Sequence, residues 1–225
     1  LLYQEVNVGG TQILLEASRK TGVRKFLFAS SSSVYGDESK VPFSEDDPVS
    51  RPVSPYAATK RAGELIGHTY WHLHGIAFWG LRFFTVYGPF GRPDMAYWSF
   101  TEKVLRGEKL TLYGEGKLAR DFTFIDDMAP AAIRTLDLPP QGDPPHLILN
   151  LGNHNPSTVL DLVAAVETAT GREAIKEYAP RNKVEVSATY ADITRARDRL
   201  GFAPATPLNA GVARFVDWYR EYAKI

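Results

Sequence analysis

The sequence contains no cysteine, which removes disulfides, thiolate nucleophiles and thiolate metal sites from consideration and fits a reducing, cytoplasmic setting. It also has no apolar run near the ~20 residues that span a bilayer. The first residues, Leu1-Leu2-Tyr3-Gln4-Glu5, do not form a basic then apolar leader. An excess of either charge is missing too: 26 Lys plus Arg balance 26 Asp plus Glu. No whole-protein field therefore draws the chain to nucleic acid or an anionic membrane, and any anion site must be local. What is present is a hydrophobic share of 44% over 225 residues, enough for one large domain or two small ones with a packed core.

The first three-fifths alternates helical and extended patterns, as expected of an α/β protein with a doubly wound parallel sheet. A helix is expected over Glu5 to Lys20, closed by Gly22, and a buried strand over Lys25 to Ser30. Ser54 and Pro55 are a cap and first residue for a second helix reaching Tyr70 to His74, and Ala77 to Phe83 reads as a second buried strand. Beyond Gly88-Pro89 come a short helix near Ser99 to Arg106, two extended segments, Leu110–Tyr113 and Arg120–Phe124, read as a pair, and then a helix. A strand at Leu147–Leu151 and helices at Thr158–Thr170, Asp192–Leu200 and Leu208–Tyr222 complete the pattern. The expected division is 1–89 as a partial Rossmann-like catalytic domain and 90–225 as mainly a smaller α/β substrate-binding domain, with 146–170 returning to the first sheet.

The sharpest local feature is Ser54-Pro55-Tyr56-Ala57-Ala58-Thr59-Lys60. Helical spacing of four puts the Tyr56 phenol and the Lys60 ammonium on one face. A cation within a few ångströms lowers a phenol pKa by roughly one to three units, so such a pair can supply a base near neutral pH. The spacing alone is weak: Tyr113 and Lys117 repeat it inside a glycine turn where no helix aligns them. Upstream, Ser30-Ser31-Ser32-Ser33-Val34-Tyr35-Gly36 places hydroxyls at a strand exit, where α/β sheets bind ligands. These serines can donate to a sugar oxygen or simply cap a solvated turn. Asn7 is a third candidate, because an Asn within a helix needs a partner for its amide. His68 and His72 share a helix face, but no third ligand accompanies them and no metal is expected. No Gly-x-Ser-x-Gly elbow supports a hydrolase.

In this order the segments resemble the extended short-chain dehydrogenase/reductases, the NAD-dependent epimerases and dehydratases of nucleotide sugars. The resemblance implies Tyr56 as the acid/base, Lys60 as the ligand of the nicotinamide ribose that also activates Tyr56, Ser31 as the hydroxyl sharing the substrate proton, and Asn7 beside the cofactor, NAD. The Asp-Glu pair of the dehydratases and the Glu of the UDP-glucuronate decarboxylases are replaced by Ser32 and Ser33, which rules out water elimination by that pair and leaves both serines on the substrate side. Leu81 to Ala96, with Gly88-Pro89-Phe90-Gly91-Arg92-Pro93, and Arg120-Asp121-Phe122 resemble the UDP-glucuronate 4-epimerases. That resemblance implies Thr85 and Arg92 at the sugar carboxylate, Arg120 at the diphosphate and Arg181 as a candidate phosphate ligand. A planar guanidinium fork suits a carboxylate on chemical grounds as well.

The implied activity is C4 epimerisation of UDP-glucuronate to UDP-galacturonate through a 4-keto sugar, in a homodimer. A 4-epimerase of neutral UDP-hexoses and a non-catalytic fragment binding sugar nucleotide are the rival readings. One family feature is missing. No Gly-x-x-Gly-x-x-Gly turn occurs, and Gly9-Gly10 falls within the first helix, so the backbone N–H cradle for the cofactor pyrophosphate is not in this sequence. The chain reads as one cut inside a domain. Residues 1–225 alone are therefore predicted to show no epimerase activity and no saturable NAD binding at millimolar cofactor by calorimetry. A folded monomer with a micromolar dissociation constant would overturn that expectation.

Overall fold

Buried parallel strands read as near-continuous apolar runs, and Ala77–Phe83 is one: all but its last residue are buried. In the computed structural model, which describes residues 1–36, 40–138, 146–180 and 188–225, this strand lies between Lys25–Ser31 and His146–Leu151 in a three-stranded parallel sheet. The register sets Ser30 opposite Arg82 and Arg82 opposite Asn150, so three polar residues cross the carboxyl ends of the strands in one row.

The helix Pro55–His74 covers this sheet. Ser54 caps it, its side chain accepting from the Ala57 N–H, and Gly75 ends it in the left-handed conformation at φ 68°. Its contact with the sheet depends on two missing side chains. A Cβ at Gly63 would lie 2.3 Å from the Phe28 ring, and one at Gly67 2.1 Å from the Phe78 ring. The expected first helix is present in altered form. Gln4–Gly10 winds as a π-helix and Thr11–Thr21 continues it as an α-helix, closed by Gly22 at φ 74°. Wider winding is a local feature that apolar periodicity does not report.

Leu15, Phe28 and Phe78 form the apolar heart of this layer, with Ile66 and Trp71 packed against them. Among the described residues no strand pairs with the outer edge of Lys25–Ser31. Val6, Ile13, Leu14, Leu65 and Leu73 are exposed on the helices.

The chain divides into two compact units. The first holds Leu1–Phe84, Pro130–Leu151 and Asp192–Phe202, and the second Thr85–Ala129, Gly152–Ala191 and Ala203–Ile225. Segment 146–170 is thus shared: its strand lies in the first unit and the helix Val159–Thr170 in the second.

In the second unit the two extended segments Lys109–Tyr113 and Ala119–Phe124 do not pair with each other. Lys109–Tyr113 runs parallel to Ile175–Ala179. Ala119–Arg120 pairs antiparallel with Ser157–Thr158 and parallel with Ala188–Thr189, and Phe122–Phe124 runs parallel to Thr85–Tyr87. The connection Gly114–Gly116 is a 3₁₀ turn with Glu115 at φ 57°, not a two-residue hairpin loop, so long-range partners replace the local pairing. Helices Ala96–Arg106, Val159–Thr170 and Leu208–Ala223 enclose a core that includes Tyr97, Trp98, Leu112, Val163 and Phe215. Among the described residues no helix is long and apolar enough to cross a membrane.

In an open helix interior, Gly→Ala gains about 1 kcal/mol of propensity. At Gly67 the added methyl would meet the Phe78 ring at 2.1 Å, and overpacking of this kind costs about 1–3 kcal/mol. Gly67→Ala is therefore expected to lower the thermal midpoint by several degrees in a circular-dichroism melt. An unchanged or raised midpoint would show that the helix is not held against the ring.

Candidate active site

The first group of expected residues lies at the carboxyl end of the three-stranded sheet and at the start of the helix above it. Tyr56 is the second residue of Pro55–His74. Its half-buried ring meets Tyr3 edge-on at 5.6 Å. One turn later the Lys60 Nζ donates to the Ala29 carbonyl at 2.8 Å, with the Tyr56 ring centroid 5.8 Å away and the Phe28 centroid 5.3 Å away. Burial holds the Lys60 ammonium below the usual lysine pKa. The structure thus brings Tyr56 and Lys60 together and fixes the lysine by its cationic end.

Asn7 has the partner that a helical Asn requires. Its Nδ2 donates to Thr59 Oγ1 at 3.0 Å, and Thr59 Oγ1 donates to the Tyr56 carbonyl at 2.9 Å. The π-wound first helix is thereby fastened to the first turn of the Tyr56 helix. Ser31 lies two residues beyond the carbonyl that holds Lys60. It caps the 3₁₀ turn Ser32–Tyr35, accepting from the Ser33 N–H at 3.2 Å while its hydroxyl lies 3.2 Å from Ser33 Oγ. Ser31 is buried, Ser32 half-buried and Ser33 exposed.

Beneath these residues is a polar network that sequence reading did not find. Glu64 is 1% exposed, as is Arg82. Arg82 grips the carboxylate with both prongs, Nε to Oε1 at 2.8 Å and Nη2 to Oε2 at 2.9 Å. Ser30 Oγ adds a bond at 2.6 Å and Arg61 one at 2.9 Å. Burial pushes the Glu64 carboxyl up, but these donors outweigh it and hold the group below its ordinary range. The Arg82 guanidinium lies over the Tyr35 ring at 4.8 Å, and Tyr35 donates to Asn150 Oδ1 at 2.6 Å. Burial pushes the Tyr35 phenol up to about 12, so Tyr35 stays protonated and structural. The available signal for Glu64 was its place four residues after Lys60, beside Gly63.

The remaining expected residues lie in the second unit. Thr85 opens the strand Thr85–Tyr87, and its N–H donates to the Asp121 carbonyl at 3.1 Å. Arg92 is 73% exposed, its Nη2 3.2 Å from Asp94 Oδ2 and 3.4 Å from Met95 Sδ. So exposed an ion pair is weakly held, which leaves the guanidinium able to exchange Asp94 for another carboxylate.

Arg120 is half-buried and donates to the Ala119 carbonyl at 2.8 Å. The residue after it, Asp121, is fully buried and accepts from the backbone N–H groups of Asn153, His154 and Ala191 and from Thr123 Oγ1. Burial nevertheless holds the Asp121 carboxyl above the usual aspartate value. This anchor was present in the Arg-Asp-Phe segment but had no role assigned from sequence. Arg181 lies outside the described residues. His68 packs against Trp71 and His146, and among the described residues no cluster of three or more metal-ligating side chains occurs.

Residues 1–152 match the model of the NAD dependent epimerase/dehydratase family. UDP-glucuronate 4-epimerase 1 of Arabidopsis thaliana is 46% identical over 98% of this chain and 54% of its own length. A crystal structure of UDP-glucuronic acid 4-epimerase from Bacillus cereus, in complex with UDP-glucuronic acid and NAD, superposes with a TM-score of 0.89 at 34% identity, covering 97% of this chain and 68% of that one. MoeE5, solved with UDP-glucuronic acid and NAD, gives 0.88 at 37% identity over 96% and 71% of the two chains, and it has also been solved with UDP-glucose and NAD. The chain spans about half the length of the plant relative. With the Tyr56–Lys60 helix seated on a parallel sheet and two thirds of the sequence matched, the chain belongs to the NAD dependent epimerase/dehydratase family and has the Rossmann-like α/β fold of its nucleotide-sugar epimerases.

Proposed function

We propose that this chain carries the proton-transfer and sugar-nucleotide-binding residues of an NAD-dependent 4-epimerase interconverting UDP-glucuronate and UDP-galacturonate. The observation that carries the reading is the Lys60 ammonium, fixed to the Ala29 carbonyl with the Tyr56 ring beside it. It is supported by the likeness to UDP-glucuronate 4-epimerases and by an arginine, Arg92, whose present partner is an exposed carboxylate.

The residues fit NAD at its nicotinamide end. An ammonium has three donors, and Lys60 spends one on Ala29, leaving two for ribose hydroxyls. When bound, NAD takes up the C4 hydride and returns it. Tyr56 removes the C4 hydroxyl proton as hydride leaves and gives it back when hydride returns to the opposite face, so C4 inverts without net redox change. Ser31, Ser32 and Ser33 donate to sugar oxygens. The 4-keto sugar is a β-keto acid, prone to lose carbon dioxide when its carboxylate bond aligns with the carbonyl π system. Arg92 and Thr85 would hold that carboxylate out of alignment. Arg120 and Arg181 serve the diphosphate in this reading. A homodimer belongs to it as well, since Ile13, Leu14, Leu65 and Leu73 leave apolar surface on the two helices.

In the full-length protein Tyr56→Phe is expected to lower turnover by roughly 10²-fold or more with little change in UDP-sugar affinity, because the ring stays and the proton-transfer group goes. Near-normal turnover would sink the assignment. Lys60→Met removes the ammonium beside the Tyr56 ring together with the donors proposed for the ribose, so weaker NAD binding with lower turnover is the check on its role.

Arg92→Leu separates the uronic acid reading from a neutral hexose one. Loss of a bidentate charged partner should penalise UDP-glucuronate by about 2 kcal/mol more than UDP-glucose, measured as a ratio of kcat/KM values. Equal penalties on both sugars would assign Arg92 to packing. Release of carbon dioxide should rise in the same variant.

A further inference from the structure

We propose that Glu64 is a positioning residue for the Tyr56–Lys60 pair, acting through a lock with Ser30 and Arg82 that fixes how the Tyr56 helix sits on the sheet; the proposal rests on the epimerase reading above. Tyr56, Lys60 and Glu64 are spaced by four along one helix, so they form one stripe facing the strands. Lys60 binds the carbonyl of Ala29, and Glu64 binds the hydroxyl of the next residue, Ser30. Ser30 is paired in register with Arg82, whose two-pronged grip completes the lock. The same few residues at the end of one strand thus receive both side chains.

The apolar contacts of this helix cannot do that work alone. Gly63 and Gly67 meet the rings of Phe28 and Phe78, and such contact sets a distance while leaving sliding and rotation cheap. A guanidinium–carboxylate fork is directional and resists both. Stability does not explain its presence, because replacing a buried ion pair with apolar side chains of similar volume is commonly neutral or favourable. The lock is also enclosed on every side. Arg61 closes it from the helix, Tyr35 covers Arg82, and His146 from the third strand feels the Glu64 charge. Glu64 touches none of the reacting atoms in the proposed chemistry, so its action is through Lys60 and Tyr56.

The test uses the full-length protein with Ser30→Ala, which deletes one bond of the lock, and Glu64→Gln, which removes its charge. Lys60 is followed directly by NMR titration of isotope-labelled lysine, with Lys60→Met identifying its signal. The lock predicts that the Lys60 midpoint moves up toward the ordinary lysine value in Ser30→Ala, where no charge changes, as the ammonium loses its fixed, half-buried place. In Glu64→Gln the loss of an anion acts in the opposite direction, so that variant is read by turnover. Turnover should fall about tenfold or more, as small misplacements do, while KM for the UDP-sugar stays within about twofold. If Glu64→Gln does not fold, Ser30→Ala decides. A folded Ser30→Ala with unmoved Lys60 titration and turnover overturns the proposal. Should the Lys60 signal move while Tyr56→Phe keeps full turnover, the lock stands and the epimerase reading falls.

Discussion

A carboxylate with 1% of its surface exposed can exist only where the protein replaces all the water it has lost, and in this chain Glu64 is that carboxylate. Ser30, Arg61 and Arg82 supply the replacement from two strands and the helix itself. Much else follows from meeting that demand. Arg82 must come from the buried central strand, Tyr35 must cover its guanidinium, and the Asn150 side-chain oxygen must accept a hydrogen bond from the Tyr35 hydroxyl while its NH2 group donates to the carbonyls of Phe43 and Asp192. A chain of polar contacts therefore runs across the carboxyl ends of three parallel strands, where a wholly apolar layer would leave those ends free to move.

The second unit solves a similar problem with a different donor set. Asp121 is surrounded by backbone N–H groups from two separate segments rather than by cations. Its carboxyl titrates above the usual range whereas Glu64 titrates below it. The difference is one of charge. Around Glu64 the hydrogen bonds and the Arg82 charge outweigh the desolvation, while around Asp121 the N–H dipoles offset it only in part. Each anchor adjoins residues with proposed roles: Glu64 lies one turn from Lys60, and Asp121 lies between Arg120 and the strand that pairs with Thr85.

What could be read from the sequence was what repeats. Period and punctuation placed the strands Lys25–Ser31, Ala77–Phe83 and His146–Leu151 and the helix Pro55–His74 within a residue or so, since Ser54-Pro55 and the glycines after each helix act locally. The Tyr56–Lys60 pair was readable for the same reason. The π-winding of Gln4–Gly10 was not, because apolar periodicity does not report a local widening of the helix, and neither were the two-residue strands and the partners of Lys109–Tyr113, because each of these depends on a segment distant in the chain. Glu64 was hidden by its chemistry. A helical glutamate is usually solvated, and only the register that sets Ser30 beside Arg82 shows that this one is not.

The two glycines of the Tyr56 helix carry an evolutionary consequence. Each shares its space with one aromatic ring, Gly63 with Phe28 and Gly67 with Phe78, so helix and strand positions divide a fixed volume between them. Substitution at one member of a pair is then admissible only with a compensating change at the other. Drift at this layer should proceed by coupled exchanges, a larger helical residue arriving with a smaller strand residue, while Tyr56 and Lys60 on the same stripe stay at an unchanged height above the sheet.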